Sequence, residues 1–255
     1  GPPWTNFKPL TDEDAKHGMR PWRGISPSPL SVRADAQTPL ELSVDEIKHV
    51  IAAWREAAQR SLDAGFDICE IHGAHGYLIH QFLSPLANKR ADAYGGDLPG
   101  RMRFALEVTE AVRDIWPADR PLFFRVSAVD GDGGAWDMDD TVELARELKM
   151  RGVDVIACSS GGISGPLNMA IVPRTPGYQV PYAERVKRET GAMTCAVGLI
   201  TGARQAEAVL QQGQALGYSL RAIDAEFQRT FPGAQVFRNY PAERQTQAIR
   251  TLATL

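Results

Sequence analysis

The chain has little cysteine, no surplus of either charge and no long apolar run. Among its 255 residues only Cys69, Cys158 and Cys195 could form disulfides or bind metal through sulfur. They are odd in number and far apart, which argues against a disulfide framework or a cysteine-type zinc site and favours a reducing cytoplasm. The 28 basic residues are matched by 31 acidic ones, for a net charge of −3, without a block of one sign. A nucleic-acid protein would carry a basic stripe, so none is expected as a partner. No segment approaches the ~20 consecutive apolar residues of a membrane-spanning helix, and the mean hydropathy is −0.25. Gly1-Pro2-Pro3-Trp4 lacks the basic start and apolar stretch of a secretory leader, so none is expected. With 44% hydrophobic residues, the chain can bury a sizeable core.

Prolines at 2, 3, 9, 21, 27 and 29 punctuate residues 1–38, where no period of 2 or 3.6 can be laid down, so an irregular arm is expected. The first strong helix follows Thr38-Pro39, with Ser43 as N-cap and Glu46 in the capping-box position. Ile47, Val50, Ile51, Trp54, Ala58 and Leu62 recur at helical spacing until Gly65. A repeating pattern then sets in, with strands expected over 66–71, 121–128, 153–159 and 193–199. Helices are expected over 102–116, 139–150, 181–189 and 203–212. Strands apolar on both faces alternating with amphipathic helices indicate a parallel sheet covered by helices. An eight-unit barrel takes ~250 residues, and four units already occupy most of 66–213. The expected fold is therefore α/β, an incomplete (β/α)8 TIM-barrel type. The next strand expected after Gly213 is missing: 214–218 leads into a helical pattern over 222–231 and a divergent segment, 214–255.

The chemistry concentrates in Glu70-Ile71-His72-Gly73-Ala74-His75-Gly76-Tyr77, where the first repeating strand ends, the catalytic end of α/β barrels. His72 and His75 would point to opposite faces of an ideal strand, so they converge only if the chain turns at Gly73, which the glycines at 73 and 76 permit. Two imidazole N–H groups aimed at one point would hold a carbonyl oxygen and stabilise charge developing on it, and the Tyr77 hydroxyl could donate a proton. Satisfied loop histidines are the plain alternative. A zinc site is another, with Asp130, Asp132 or Asp137 as third ligand, although the spacing matches no known pattern. Arg125 stands inside an apolar strand on the face of Phe123 and Ser127, where burial demands a carboxylate partner or an electron-rich ligand. Ser159-Ser160-Gly161-Gly162 and Gly198-Leu199-Ile200-Thr201-Gly202 follow successive strands, as phosphate-binding loops of barrels do. Rossmann and P-loop glycine patterns are absent.

DICEIHGAHGYLIHQFLSPLANKRADAYGG (67–96), RMRFALEVTEAVR (101–113), PLFFRVSA (121–128), ACSSGG (157–162), PGYQVPYAERVKRETG (176–191) and AVGLIT (196–201) resemble the Old Yellow Enzyme family of flavoproteins. The likeness is to its bacterial xenobiotic-reductase and NADPH-dehydrogenase branch and runs over 39–213. It implies an FMN-binding barrel that takes hydride from NADPH or NADH and reduces the C=C bond of an activated alkene, such as an α,β-unsaturated carbonyl compound. His72 and His75 would then hold the substrate oxygen, Tyr77 would protonate the α-carbon, and Arg125 would lie beside the flavin N1–C2 carbonyl edge. Gly198 and Gly217 would lie at the FMN phosphate.

The sequence departs from the family in three places. The first three strands are missing ahead of the helix at 43–62, Tyr218 stands where an arginine is usual, and Pro99-Gly100-Arg101 replaces an Asn-Arg pair. Two alternatives follow: a non-catalytic remnant of the half-barrel, its edges covered by its own tails or by a second copy in a homo-oligomer, and a metal-dependent hydrolase using His72 and His75.

Overall fold

A computed structural model describes residues 10–19, 22–31, 36–131, 135–163 and 175–215. The helix expected after Pro39 is α2 (Val44–Asp63), following α1 (Asp12–Lys16), β1 (Ile25–Ser26) and β2 (Leu40–Glu41). Ser43 and Glu46 form the anticipated reciprocal cap: Glu46 N–H donates to Ser43 Oγ, and Ser43 N–H donates to the Glu46 carboxylate at 2.8 Å.

Four parallel strands then form one sheet, β3 (Cys69–Gly73), β4 (Leu122–Ser127), β5 (Val155–Ser159) and β6 (Met193–Ala196), in the spatial order β3-β4-β5-β6. Between them run α3 (Leu78–Leu83) and α4 (Leu98–Arg113), α5 (Met138–Met150) and α6 (Val180–Thr190), and α7 (Ala203–Ala215) follows β6. A doubly wound sheet reverses its strand order at a switch point; here each strand lies beside its predecessor, as in a barrel wall. The incomplete-barrel expectation is thus met with four consecutive units.

Register separates the two faces, because residues at the same level on neighbouring parallel strands point the same way. Ile71, Phe124, Ile156 and Thr194 form one row. The first three are at most 1% exposed and pack with Val108, Leu144, Leu148 and Val186 from the helices. His72, Arg125, Ala157 and Cys195 form the next row on the opposite face. Greasy on the helix side and polar on the other, the sheet is a section of barrel wall with its lumen face carrying the functional groups.

Three sequence expectations change. The first strand of this sheet is 69–73 rather than 66–71. Phe66 is exposed beyond the left-handed turn at Gly65 (φ +83°), and pairing starts where Cys69 N–H reaches Pro121 O. The helix expected from Met102 starts four residues earlier, because the Asp97 side chain caps Gly100 N–H and Pro99 suits a first turn. Gly100 is required there, since a Cβ would overlap Gly95 O. The arm over 1–38 is also less irregular than expected. It contains α1 and β1, and β1 pairs in parallel with β2.

Arg90 holds that arm. It is 8% exposed and donates to Pro27 O and Leu42 O at 3.0 and 2.6 Å, while its other nitrogens grip Asp92. Replacing Arg90 with alanine strands two buried carbonyls and is expected to lower the unfolding free energy by about 3 kcal/mol. Urea denaturation followed by tryptophan fluorescence reads this directly, and a change below about 0.5 kcal/mol would show that the arm is not held through Arg90.

Candidate active site

The His72–His75 pair is built by a turn, but not at Gly73. The strand runs straight through Gly73, where a Cβ would crowd the Phe124 ring and Arg125 O. The chain reverses instead at His75 and Gly76, both left-handed with φ of 59° and 76°. For a histidine this conformation is uncommon and costs on the order of 1 kcal/mol. Neighbouring side chains hold it. His75 N–H donates to Ser127 Oγ at 3.0 Å, Gly76 N–H donates to His80 Nδ1 at 2.9 Å, and Gln81 Nε2 donates to Gly76 O at 2.6 Å. A Cβ on Gly76 would overlap Gly162 O, and one on Gly162 (φ +113°) would overlap the His75 backbone. The glycines of GAHGY and SSGG are therefore two halves of one backbone contact. Ser127 seals it, accepting from His75 and donating to Gly161 O at 2.7 Å.

This turn brings the His72 and His75 rings to 5.1 Å and the His72 and Tyr77 rings to 5.4 Å between centroids. Tyr77 is 64% exposed, so its hydroxyl is available to a ligand. Burial first, then the Arg125 guanidinium and the neighbouring imidazoles His72 and His80, hold the His75 pKa down to about 4. Burial, Arg125 and His80 likewise lower His72. Both rings are neutral at pH 7, each with one N–H donor and one acceptor. His75 Nε2 lies 2.6 Å from Ser159 Oγ, and Gln179 Nε2 donates to Ser160 Oγ at 2.8 Å and to Ser159 Oγ at 3.3 Å.

Arg125 is opposite His72 in the strand register. Its Nε is buried and has no hydrogen-bond partner among the described residues. Glu70 and Cys195 on the same face sense its charge. Burial raises the Glu70 carboxyl while Arg125 pulls it back; burial and Glu70 raise the Cys195 thiol, against Arg125. The salt bridge considered from sequence is not formed among the described residues, so a buried cationic donor faces the lumen unsatisfied. Such a group is costly unless something anionic or strongly accepting meets it.

Two of the three proposed third zinc ligands are committed elsewhere. Asp130 binds His80 Nε2 at 2.8 Å and Ser84 Oγ at 2.6 Å, and Asp137 caps α5 through Asp139 and Asp140 N–H. Asp132 lies outside the described residues. Among the described residues no three His, Cys, Asp or Glu side chains gather as a metal-binding group. Gly198, with φ +105°, sits under Tyr178 and Gln179 and accepts from Gly177 N–H at 2.7 Å, so packing alone explains glycine there. Gly217 and the helix expected over 222–231 lie outside the described residues. Sequence reading missed His80 and Gln179 as parts of the site and gave Ser127, Ser159 and Asp130 other places: beside Arg125, in a glycine-rich loop and as a possible metal ligand. A serine ending each of two adjacent strands was the available signal for Ser127 and Ser159.

The half-barrel wall thus presents on one face a pair of imidazoles and an arginine whose Nε has no hydrogen-bond partner among the described residues. The sequence profile of the NADH:flavin oxidoreductase / NADH oxidase family matches residues 11–218. NADPH dehydrogenase of Bacillus pumilus (strain SAFR-032) is 47% identical over 205 residues, covering 80% of this chain and 58% of that protein. Among solved structures, a 2-naphthoyl-CoA reductase complex with 2-naphthoyl-CoA superposes with a TM-score of 0.68 at 25% identity, over 75% of this chain and 30% of that one. Morphinone reductase in complex with tetrahydroNAD gives 0.60 at 25% identity, over 80% and 55%. The chain belongs to the NADH:flavin oxidoreductase / NADH oxidase family, and the likeness to Old Yellow Enzyme drawn from its motifs holds. It spans a little over half the length of the curated relative it matches.

The depressed His75 pKa has a measurable consequence. An unfolded histidine binds its proton near pH 6.5 and the folded one near pH 4. Between those values the unfolded chain holds more protons, so stability is complete above ~6.5 and falls as pH drops toward 4. In a histidine NMR titration His75 is expected to stay neutral down to pH 5; a midpoint near 6.5 would mean that Arg125 and burial do not act on it.

Proposed function

We propose that this chain carries the substrate-binding and proton-donating side of an FMN-dependent NAD(P)H oxidoreductase acting on activated alkenes. The carrying observation is the buried, unpartnered Nε of Arg125, level with His72 across the strand register. Its fixed positive charge suits the electron-rich edge of a flavin that gains negative charge on reduction. When bound, FMN supplies two-electron chemistry, accepting hydride from NAD(P)H and passing hydride to the β-carbon of the alkene.

The protein's own groups do the rest. His72 and His75, both neutral, each offer an N–H; donated together to a carbonyl or nitro oxygen, these draw electron density from the β-carbon and stabilise the developing enolate. Neutrality matters, because a charged imidazolium beside Arg125 would add repulsion to the site. Ser159 and Gln179 form a hydrogen-bonded train that leads to His75 Nε2 and orients the ring. The Tyr77 hydroxyl, exposed beside His72, delivers the proton to the α-carbon. One hydride and one proton then convert C=C into CH–CH. Gly198 lies at the strand end where a phosphate tail would run, and Gly217 follows in the sequence.

A second reading is a half-barrel that keeps this geometry without turnover, supported by Gly198, whose place against Tyr178 and Gln179 needs no phosphate to explain it. Adding FMN to the purified chain separates the two. Quenching of flavin fluorescence at micromolar concentration, with oxidation of NADPH when 2-cyclohexenone is present, is expected. Colourless protein without quenching removes the enzymatic reading. Arg125→Gln is expected to weaken flavin binding on the order of 10- to 100-fold, the value of a buried charged hydrogen bond. The His72→Ala/His75→Ala double variant is expected to keep flavin within a few-fold while enone turnover falls on the order of 10³-fold. Simultaneous loss of flavin would assign the pair a structural role instead.

A further inference from the structure

Behind the turn that carries His75 and Tyr77 lies a buried polar chain that touches no lumen group. His80, on α3, and Asp130, after β4, are both 0% exposed and 2.8 Å apart. His80 Nδ1 faces Gly76 N–H at 2.9 Å. Asp130 Oδ1 faces His80, and Oδ2 accepts from Ser84 Oγ at 2.6 Å and from Trp136 N–H at 3.1 Å.

These partners leave one protonation pattern. A backbone N–H can only donate, so His80 Nδ1 must be the bare, accepting nitrogen, and the neutral ring carries its proton on Nε2, donated to Asp130. Asp130 is anchored in turn by donors from Ser84, the residue that closes α3, and from the residue before Asp137, the cap of α5. Gly76 is the second of two left-handed residues in the turn. Without His80, its N–H would lose the acceptor that holds this conformation in place.

We propose that His80 and Asp130 form a positioning dyad: Asp130 sets the His80 tautomer, and His80 Nδ1 pins Gly76 so that His75 and Tyr77 are held in reacting geometry. The inference rests on the functional reading above only for its kinetic consequence; the tautomer itself is independent of any ligand. The dyad acts through the turn and touches neither substrate nor cofactor.

Asp130→Asn is a sharp test, because the amide has only one way to fit. Trp136 N–H can only donate, so the amide oxygen stays on that side and the NH2 group turns to His80 Nε2. His80 must then accept at Nε2 and carry its proton on Nδ1, donor against donor with Gly76 N–H. Long-range 1H–15N spectra of the flavin-free protein are expected to show His80 protonated on Nε2 in the wild type and on Nδ1 in Asp130→Asn. In the FMN-loaded protein the same substitution is expected to lower enone turnover on the order of 10²-fold, as roughly ångström misplacement does. In a Tyr77→Phe background the further loss is expected to shrink to a few-fold, since both act through one step. His80→Asn, whose amide oxygen can replace Nδ1 as acceptor, is expected to keep more turnover than His80→Leu.

A wild-type His80 protonated on Nδ1 overturns the dyad and leaves flavin binding untouched. Full turnover in Asp130→Asn, or an undiminished loss on the Tyr77→Phe background, overturns its positioning role. Failure of the wild type to take up flavin would end the functional reading while the tautomer measurement still stands.

Discussion

The site depends on two loops meeting backbone to backbone. His75-Gly76, after β3, and Gly161-Gly162, after β5, lie so close that neither Gly76 nor Gly162 can carry a Cβ, and the Ser127 hydroxyl from the strand between them bonds to both loops. Three consecutive strand ends are thereby locked into one surface. A left-handed histidine is tolerated because His75 N–H, Gly76 N–H and Gly76 O all find partners, and the cost of strain is offset by hydrogen bonds that water would otherwise have to supply.

Parallel pairing adds the second constraint. Once Ile71, Phe124 and Ile156 are committed to the helix side, a period of two sends His72, Arg125 and Ala157 to the other face at one level. The hydrophobic core thus chooses where the charge goes. Arg125 cannot retreat into solvent without breaking the strand, and its field reaches His72, His75, Glu70 and Cys195 together. One half-buried cation adds to the burial that lowers two histidines, and opposes the rise of a carboxyl and a thiol. Its electrostatic effect is shared across the whole lumen face.

Much of the architecture was legible in the residues. Helix starts were readable where a capping signal existed, as at Ser43 and Glu46, because that chemistry is local. Strand existence was readable from apolar runs, but the start of β3 was not. Phe66 looks like a strand residue and is exposed, since pairing with Pro121 decides where the ladder begins. The early start of α4 turned on Gly100 fitting against Gly95, a contact between residues five apart that composition does not disclose.

The sequence alone determined the alternation of strands and helices, the family motif and the residue types able to hold an oxygen or balance a negative charge, because periodicity and side-chain chemistry are local properties. Tertiary structure decided that the chain turns at His75-Gly76, that Arg125 Nε has no partner among the described residues, and that Asp130 serves His80 rather than a metal with His72 and His75. Those outcomes depend on which distant groups arrive within 3 Å of each other, and residues 50 or more positions apart meet only when the sheet has formed.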